Sequence, residues 1–395
     1  MIKKVSNLFL IVLLFSFMFS CEQNNEEFIN LDLSIAWEVY SENYGNQRLA
    51  IDEEKERVYV NETWNETMSA IDIKSGKLLW RSDEIIFSGT NAVFDEKYVY
   101  NIGWGVSDKK EVIFVQLDKE TGELIKTKKL GDSREILARM DNLLLYNETL
   151  YWGAKDSHFV HAYNTQDDAD SYKVWGSEDV TADIMGDIVP YNGRLYFVAE
   201  VYPYIDDPKP SRLISMLPDG SDVKELEIPV DFMGVDTNAI QIYEGKLYLN
   251  GTYFICLDPE TFKIEWELKR DEGFYSSYGF TIHEGKIYTA TNINSCDSVF
   301  CIDAKKGKII WQEKLDSSYG TIGYQPQVYR GYVYLPTQSS LIVLNAKSGK
   351  YIGRDERLET GALSLGKTIS YNDLLIVSAP LINKMYAVKM DMHTR

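Results

Sequence analysis

Cys301-Ile302-Asp303-Ala304-Lys305-Lys306-Gly307-Lys308-Ile309-Ile310-Trp311 decides the fold, because it recurs. Ala70-Ile71-Asp72-Ile73-Lys74-Ser75-Gly76-Lys77-Leu78-Leu79-Trp80 keeps the same register, and so does Cys256-Leu257-Asp258-Pro259-Glu260-Thr261-Phe262-Lys263-Ile264-Glu265-Trp266. Gln116-Leu117-Asp118-Lys119-Glu120-Thr121-Gly122-Glu123-Leu124 and Val343-Leu344-Asn345-Ala346-Lys347-Ser348-Gly349-Lys350 are copies without the Trp. Each copy reads as an apolar strand, a tight turn and a second apolar strand. The Asp or Asn ends the first strand, where its short side chain can accept hydrogen bonds from nearby backbone N–H groups. The Gly four residues on suits a turn position with positive φ, and the Trp falls on the second strand.

A strand pair cannot bury both of its faces, so units repeated at a fixed period must stack on one another. A period near 40–45 residues with four strands per unit points to a propeller blade. Working outward, each unit should open with a hairpin whose second strand carries an aromatic or aliphatic run. Such runs start at Val58-Tyr59, Tyr98-Val99, Leu150-Tyr151, Leu195-Tyr196, Leu247-Tyr248, Ile287-Tyr288, Val333-Tyr334 and Leu375-Ile376. Eight starts predict an all-β, eight-bladed β-propeller, with a seven-bladed ring as the runner-up. The last unit stops at Met385-Tyr386-Ala387-Val388-Lys389 without an outer strand, while Ser34-Ile35-Ala36-Trp37-Glu38 is an outer strand without a unit. The N-terminal strand is therefore expected to complete the last blade, which removes two open edges.

The pattern apolar-Asp-x-x-Thr-Gly-x-x-x-Trp resembles the quinoprotein-type β-propeller repeat, with Phe262 a departure where Gly is usual. The resemblance covers nearly the whole mature chain and speaks to fold more than to function. In quinoprotein dehydrogenases it implies pyrroloquinoline quinone, an adjacent Cys-Cys pair, calcium ligands and a Trp floor in the channel. This chain has no Cys-Cys pair, is much shorter, and offers no segment matching the calcium ligands. No cofactor is expected, and the protein is read as not an enzyme. An exported quinone-dependent dehydrogenase is the least favoured alternative.

Residues 1–20 read as a lipoprotein signal peptide. Lys3 and Lys4 precede an apolar run from Leu8 to Phe19, which is too short to span a bilayer, and Met18-Phe19-Ser20-Cys21 resembles a lipobox. Cys21 is the expected lipidation site. Residues 21–33 are expected to form a flexible tether, and 34–395 a single propeller domain. Glu22 after the Cys favours the outer membrane, and the acidic run to Glu27 leaves the periplasmic and the surface-facing leaflet both open. The membrane is expected to be met through the lipid anchor alone. A formal charge of −19 argues against nucleic acid, whose phosphates call for clustered Lys and Arg.

Trp37, Trp80, Trp175, Trp266 and Trp311 hold fixed places in the repeat and are expected between blades. His158 and His161 are spaced for opposite faces of a strand and lack a third metal ligand, so no metal site is expected. Cys296 and Cys301 flank four residues at a hairpin tip and are read either as a disulfide or as free thiols. Cys256 and Cys301, equivalent positions in successive units, should lie too far apart to bridge. The Asp-to-Gly turns should share one face of the ring. The opposite face should carry longer loops with Trp64, Trp104, Tyr202, Tyr204, Tyr275, Tyr278, Tyr319 and Tyr324 as contact candidates.

In size, anchor and repeat type the chain is similar to the propeller lipoproteins of outer-membrane β-barrel assembly. That resemblance implies a protein-interaction scaffold beside an envelope partner. A surface glycan-binding lipoprotein is the alternative, from the loop aromatics and the acidic charge.

Overall fold

The computed structural model describes residues 29–40, 47–62, 67–82, 86–87, 90–105, 111–132, 143–153, 158–167, 171–176, 183–184, 186–200, 210–228, 239–251, 254–269, 279–293, 296–315, 325–358, 368–379 and 384–392. These residues form eight antiparallel sheets of four or five strands and no helix. Blades 1 to 7 follow chain order at 47–82, 86–132, 143–176, 183–227, 240–268, 280–314 and 327–355. Blade 8 takes Thr368–Tyr371, Leu374–Ala379 and Lys384–Lys389 from the C-terminal end, and Ile35–Tyr40 from the N-terminal end as its outer strand. Tyr40 pairs with Lys384 and Ile35 with Val388, so the ring is closed as the two orphan strands imply.

The repeat explains the turns. Asp118 Oδ1 accepts the backbone N–H and the hydroxyl of Thr121 at 2.9 and 3.0 Å. Asp258 does the same for Thr261 at 3.0 and 2.9 Å, and Asn345 accepts the Ser348 N–H at 3.0 Å. The N–H at the glycine position then donates to the carbonyl of the Asp or Asn, at 2.9 Å for Gly122 and 2.8 Å for Gly349. One bulge follows in the same place of each copy, at Ala70/Ile71, Cys256/Leu257, Cys301/Ile302 and Val343/Leu344. The bulge turns the Trp toward the next blade, since an extra residue re-aims the side chains that follow it.

The core lies between blades rather than within them. Eight apolar clusters each draw on two neighbouring blades, one per seam. At four seams the Trp of one blade lies flat over the turn glycine of the next. A Cβ on Gly76 would sit 2.6 Å from Trp37 Cγ, and one on Gly349 2.6 Å from Trp311 Cε3; Gly122 and Gly307 stand likewise under Trp80 and Trp266. Each indole N–H donates to the carbonyl just after the turn's Asp or Asn: Ile73, Lys119, Ala304 and Ala346, at 2.9 to 3.0 Å. A buried Tyr of the same blade reaches two of these oxygens as well, Tyr248 at Ala304 and Tyr288 at Ala346, at 3.2 and 3.3 Å. Both lone pairs of one carbonyl are thereby used, and the hairpin tyrosines act as ties from blade to blade.

The other seams are filled differently. The outer strand of blade 4, Lys224–Glu227, supplies no Trp, and the facing turn of blade 5 carries Phe262, at φ 59°, in place of Gly. Its ring faces Tyr196 of blade 4 at 6.5 Å. Trp175 packs edge-on to Phe197 at 5.2 Å, between blades 3 and 4. Blade 7 has Gly353 where Trp would stand, and a Cβ there would meet the Leu31 side chain. Residues 29–33, assigned to the tether from sequence, run along that blade: Leu31 N–H donates to Arg354 O at 2.7 Å, and Leu33 N–H to buried Asp355 Oδ2 at 2.9 Å. Blades 1 and 2 are joined by a buried ion pair, Lys119 Nζ to Asp52 Oδ2 at 2.7 Å, both side chains 3% exposed.

Candidate functional site: the central channel

The first strands of the blades face the ring axis, where a propeller keeps its channel. Blades 7, 8, 1, 2 and 3 line an open cavity of about 490 Å³ there. Its two sides differ. Leu49 and Ile51 of blade 1, Val93 and Phe94 of blade 2 and Leu143–Leu145 of blade 3 make an apolar wall. Gln325 and Gln327 of blade 7 with Thr368 and Ser370 of blade 8 make a polar one, and Asn91 sits on the blade 2 side. Among the described residues no Asp, Glu, Lys, Arg or His lines it.

Side chains stitch the inner strands together. Gln241 Nε2 donates to Phe280 O at 2.5 Å, from blade 5 to blade 6, and Thr281 Oγ1 to Pro326 O at 2.6 Å, from blade 6 to blade 7. Thr368 Oγ1 donates to Gln325 O at 3.2 Å and Ser370 Oγ to Gln327 Oε1 at 2.9 Å, from blade 8 to blade 7. The stitching leaves three buried polar atoms on the cavity lining without a protein partner: Gln327 Nε2, Gln325 Oε1 and Asn91 Oδ1. Such groups are uncommon in a folded interior. None belongs to a motif, so sequence reasoning passed over them; the only signal was polar residues on inner strands.

Cys21, Trp64, Tyr202, Tyr204, Tyr275, Tyr278, Tyr319 and Tyr324 lie outside the described residues. Trp104, expected in a loop, has its backbone in strand Tyr98–Gly105, opposite Val112. Exposed apolar residues occur where sequence did not place them, at the start of the outer strands: Leu78 and Leu79 in blade 1, Leu124 and Ile125 in blade 2, Ile309 and Ile310 in blade 6.

The expected choice at Cys296 and Cys301 resolves against a bridge. Both lie on one continuous strand, Cys296–Asp303. Five residues of strand separate their backbones by about 16 Å, beyond disulfide reach. Cys301 and Cys256 are buried free thiols, and burial pushes each up to about 11. His161 is buried and stacked on Trp152 at 5.4 Å. Burial, with a smaller contribution from the charge of Lys173, holds it down to about 4, so it is a neutral core residue at pH 7. Among the described residues no three His, Cys, Asp or Glu side chains gather as a metal site.

Fold and repeat define the class: an eight-bladed β-propeller whose repeat resembles the quinoprotein type. More particularly, a family model described as outer membrane protein assembly factor BamB matches residues 242–387, which are blades 5 to 8 short of the N-terminal strand. The crystal structure of BamB from Moraxella catarrhalis superposes with a TM-score of 0.66 at 12% identity, covering 92% of this chain and all of that one. Quinohemoprotein alcohol dehydrogenase from Comamonas testosteroni gives 0.65 at 11% identity, covering 92% of this chain and 77% of that one. A europium-containing methanol dehydrogenase gives 0.68 at 12% identity, with 92% and 95% covered. No curated protein sequence matches the chain.

The dehydrogenase neighbours raise the question of whether the channel suits their quinone. Pyrroloquinoline quinone is a polycarboxylate, and burying its charge calls for cationic or metal partners. The lining offers amides, hydroxyls and hydrocarbon but no cation, and no acidic cluster to hold a metal beside the quinone. The described channel residues do not fit that group.

Proposed function

We propose that this chain is a non-enzymatic, lipid-anchored propeller that serves as a protein-interaction scaffold at the bacterial outer membrane, in the manner of BamB. The observation that carries the reading is the match of blades 5 to 8 to the BamB family model. The described channel lining supports it over the dehydrogenase reading, since the described lining residues offer an anionic quinone no cation. The exposed aliphatic pairs Leu78-Leu79, Leu124-Ile125 and Ile309-Ile310 give a partner something apolar to cover on three outer strands. Lipidation at Cys21 supplies the anchor, and eight residues later the Ile29 carbonyl accepts the Arg354 N–H of blade 7.

Mild crosslinking in intact cells, purification through a C-terminal tag and mass spectrometry test the reading. Outer-membrane β-barrel assembly proteins are the expected catch, reduced when Ile309 and Ile310 are both changed to Lys. A catch of sugar-uptake or glycan-processing proteins without any assembly component would refute it. Cys21→Ser should release the protein from the membrane fraction, and a variant that stays membrane-bound would refute the anchor.

A further inference from the structure

We infer that the turn face of blades 6 and 7 is a docking surface for an anionic lipid bilayer, holding the ring by that edge against the leaflet that carries its anchor. The inference rests on lipidation at Cys21 and adds a contact beyond the acyl chain. Three observations carry it. The first is where the tether joins the ring. Ile29 O accepts the Arg354 N–H at 3.0 Å, on the outer strand of blade 7. Arg354 stands four residues after Lys350, about 13 Å along the strand. The eight residues from Cys21 to Ile29 span at most about 26–29 Å. An acyl chain on Cys21 therefore keeps blade 7, with blade 6 beside it, close to lipid headgroups.

The second observation is charge. The chain is acidic as a whole, at −19, but its turns are not alike. Residues 303–310 of blade 6 hold three lysines and one acid, and 345–352 of blade 7 two lysines and no acid. The same eight positions in blades 2 and 5, 118–125 and 258–265, each hold three acids and one lysine. Lys305, Lys306, Lys308, Lys347 and Lys350 are all exposed. The one acid, Asp303, accepts the Lys305 and Lys306 N–H groups within its own turn and lies 3.5 Å from Lys306 Nζ. Among the described residues the other four lysines form no ion pair.

The third is exposed hydrocarbon among those cations. Ile309 and Ile310, 37% and 47% exposed, follow directly on Lys308, and Ile29 is 50% exposed. Trp311 lies over Gly349 and donates to Ala346 O, so the Lys308-Ile309-Ile310 run abuts the Lys347 to Lys350 turn. Lysines around exposed aliphatics suit a bilayer interface, where cations meet headgroup phosphates and the aliphatics enter the acyl boundary. An acidic protein would match the lysines too, but the tether holds this sector beside lipid. In a ring of eight, blade 2 lies across from blade 6. Its acidic turn and Leu124-Ile125 then face away from the like-charged bilayer and stay open to protein partners. Ile309 and Ile310 act on the crosslinked catch by orienting the ring.

Vesicle co-sedimentation tests the inference. The mature chain from residue 21 is used with Cys21→Ser, so that neither signal peptide nor acyl chain contributes. It should bind vesicles of phosphatidylglycerol and phosphatidylcholine about tenfold or more tightly than phosphatidylcholine alone, and lose that preference at about 0.5 M salt. Lys305→Glu with Lys306→Glu, or Ile309→Ser with Ile310→Ser, should each weaken binding about tenfold. Leu124→Ser with Ile125→Ser, on blade 2, should leave it unchanged. In the lipidated protein reconstituted in the anionic vesicles, acetic anhydride should modify Lys305 and Lys347 several-fold more slowly than in detergent, and exposed Lys97 of blade 2 at the same rate. Equal binding to both vesicle types, binding indifferent to both blade 6 variants, or unchanged labelling of Lys305 would overturn the inference. A protein that crosslinks to assembly components and needs Cys21 for attachment, yet fails on vesicles, would leave scaffold and anchor standing and this surface refuted. Vesicle binding through the lysines by a chain that proves unacylated in cells would uphold the surface and refute the anchor.

Discussion

Gly331 and Gly349 belong to the same blade, and both have positive φ, 81° and 76°. Around Gly331 a Cβ would meet nothing within 4 Å; on Gly349 it would run into the Trp311 ring, 2.6 Å from Cε3. Alanine at Gly331 should cost about 1 kcal/mol: roughly 1–2 for the left-handed conformation, offset by about 0.4–1 from a stiffer unfolded chain. Alanine at Gly349 carries that cost too and must also move the indole. Displacing a packed ring costs about 1–3 kcal/mol, and losing the Trp311 N–H to Ala346 O bond, 3.0 Å long, about 1 more. Gly349→Ala should therefore lose about 3–5 kcal/mol. Urea unfolding followed by circular dichroism reads the difference as a lower midpoint at unchanged slope. In a Trp311→Ala background, Gly349→Ala should fall back to about 1 kcal/mol, giving a coupling of about 2–4 kcal/mol in the cycle. Equal losses at the two glycines, or additive effects in the cycle, would refute the seam geometry.

Breaking the buried Lys119–Asp52 pair by Asp52→Asn or Lys119→Met should cost about 3–5 kcal/mol each, and the double variant should recover much of it; chemical denaturation of the four forms checks this. His161, held near 4 when folded and near 6.5 when unfolded, contributes stability that is present above pH 6.5 and lost as pH falls toward 4. The loss should reach about 3 kcal/mol and disappear in His161→Phe, measured as midpoint against pH. Asp258, held down to about 2 chiefly by the Thr261 backbone N–H, lies below its unfolded value. Its contribution is complete above about pH 4 and fades toward pH 2, so Asp258→Ala should destabilise at pH 7 and be nearly silent at pH 2. Cys256 and Cys301, pushed up to about 11 by burial, should resist iodoacetamide in the native protein and label fully in urea, as peptide mass spectrometry would show.

The blades were legible because their instructions are local. An Asp, a Gly four residues on and a Trp four beyond that specify turn, bulge and seam together, so counting copies and hairpins counts blades. The closing strand was legible for the same reason: Trp37 carries the repeat's mark without a unit to belong to. Phe262 stood out in the sequence only as an exception. Its reason lies in another unit, since blade 4 sends no Trp and the turn it faces is free to carry a ring of its own. Leu31 was read as tether because nothing near it in sequence says that Gly353 leaves a gap. The channel site was invisible for a deeper reason. Gln325, Gln327, Ser370 and Asn91 come from three blades, and their unmet hydrogen bonds exist only once the ring has closed and excluded the water that would otherwise serve them.

The closing strand also sets an order of events. Ile35–Tyr40 is made long before its partner Lys384–Lys389, with seven blades between them. Until its partner strand has been made, the first strand carries an unpaired edge even when Trp37 already lies over Gly76 of blade 1, the kind of surface that recruits wrong neighbours. Contacts so distant in sequence also form slowly. A nascent chain is therefore an open arc for most of its making, and any factor that shields the residues around Trp37 during that interval acts on the yield of whole rings rather than on their final stability.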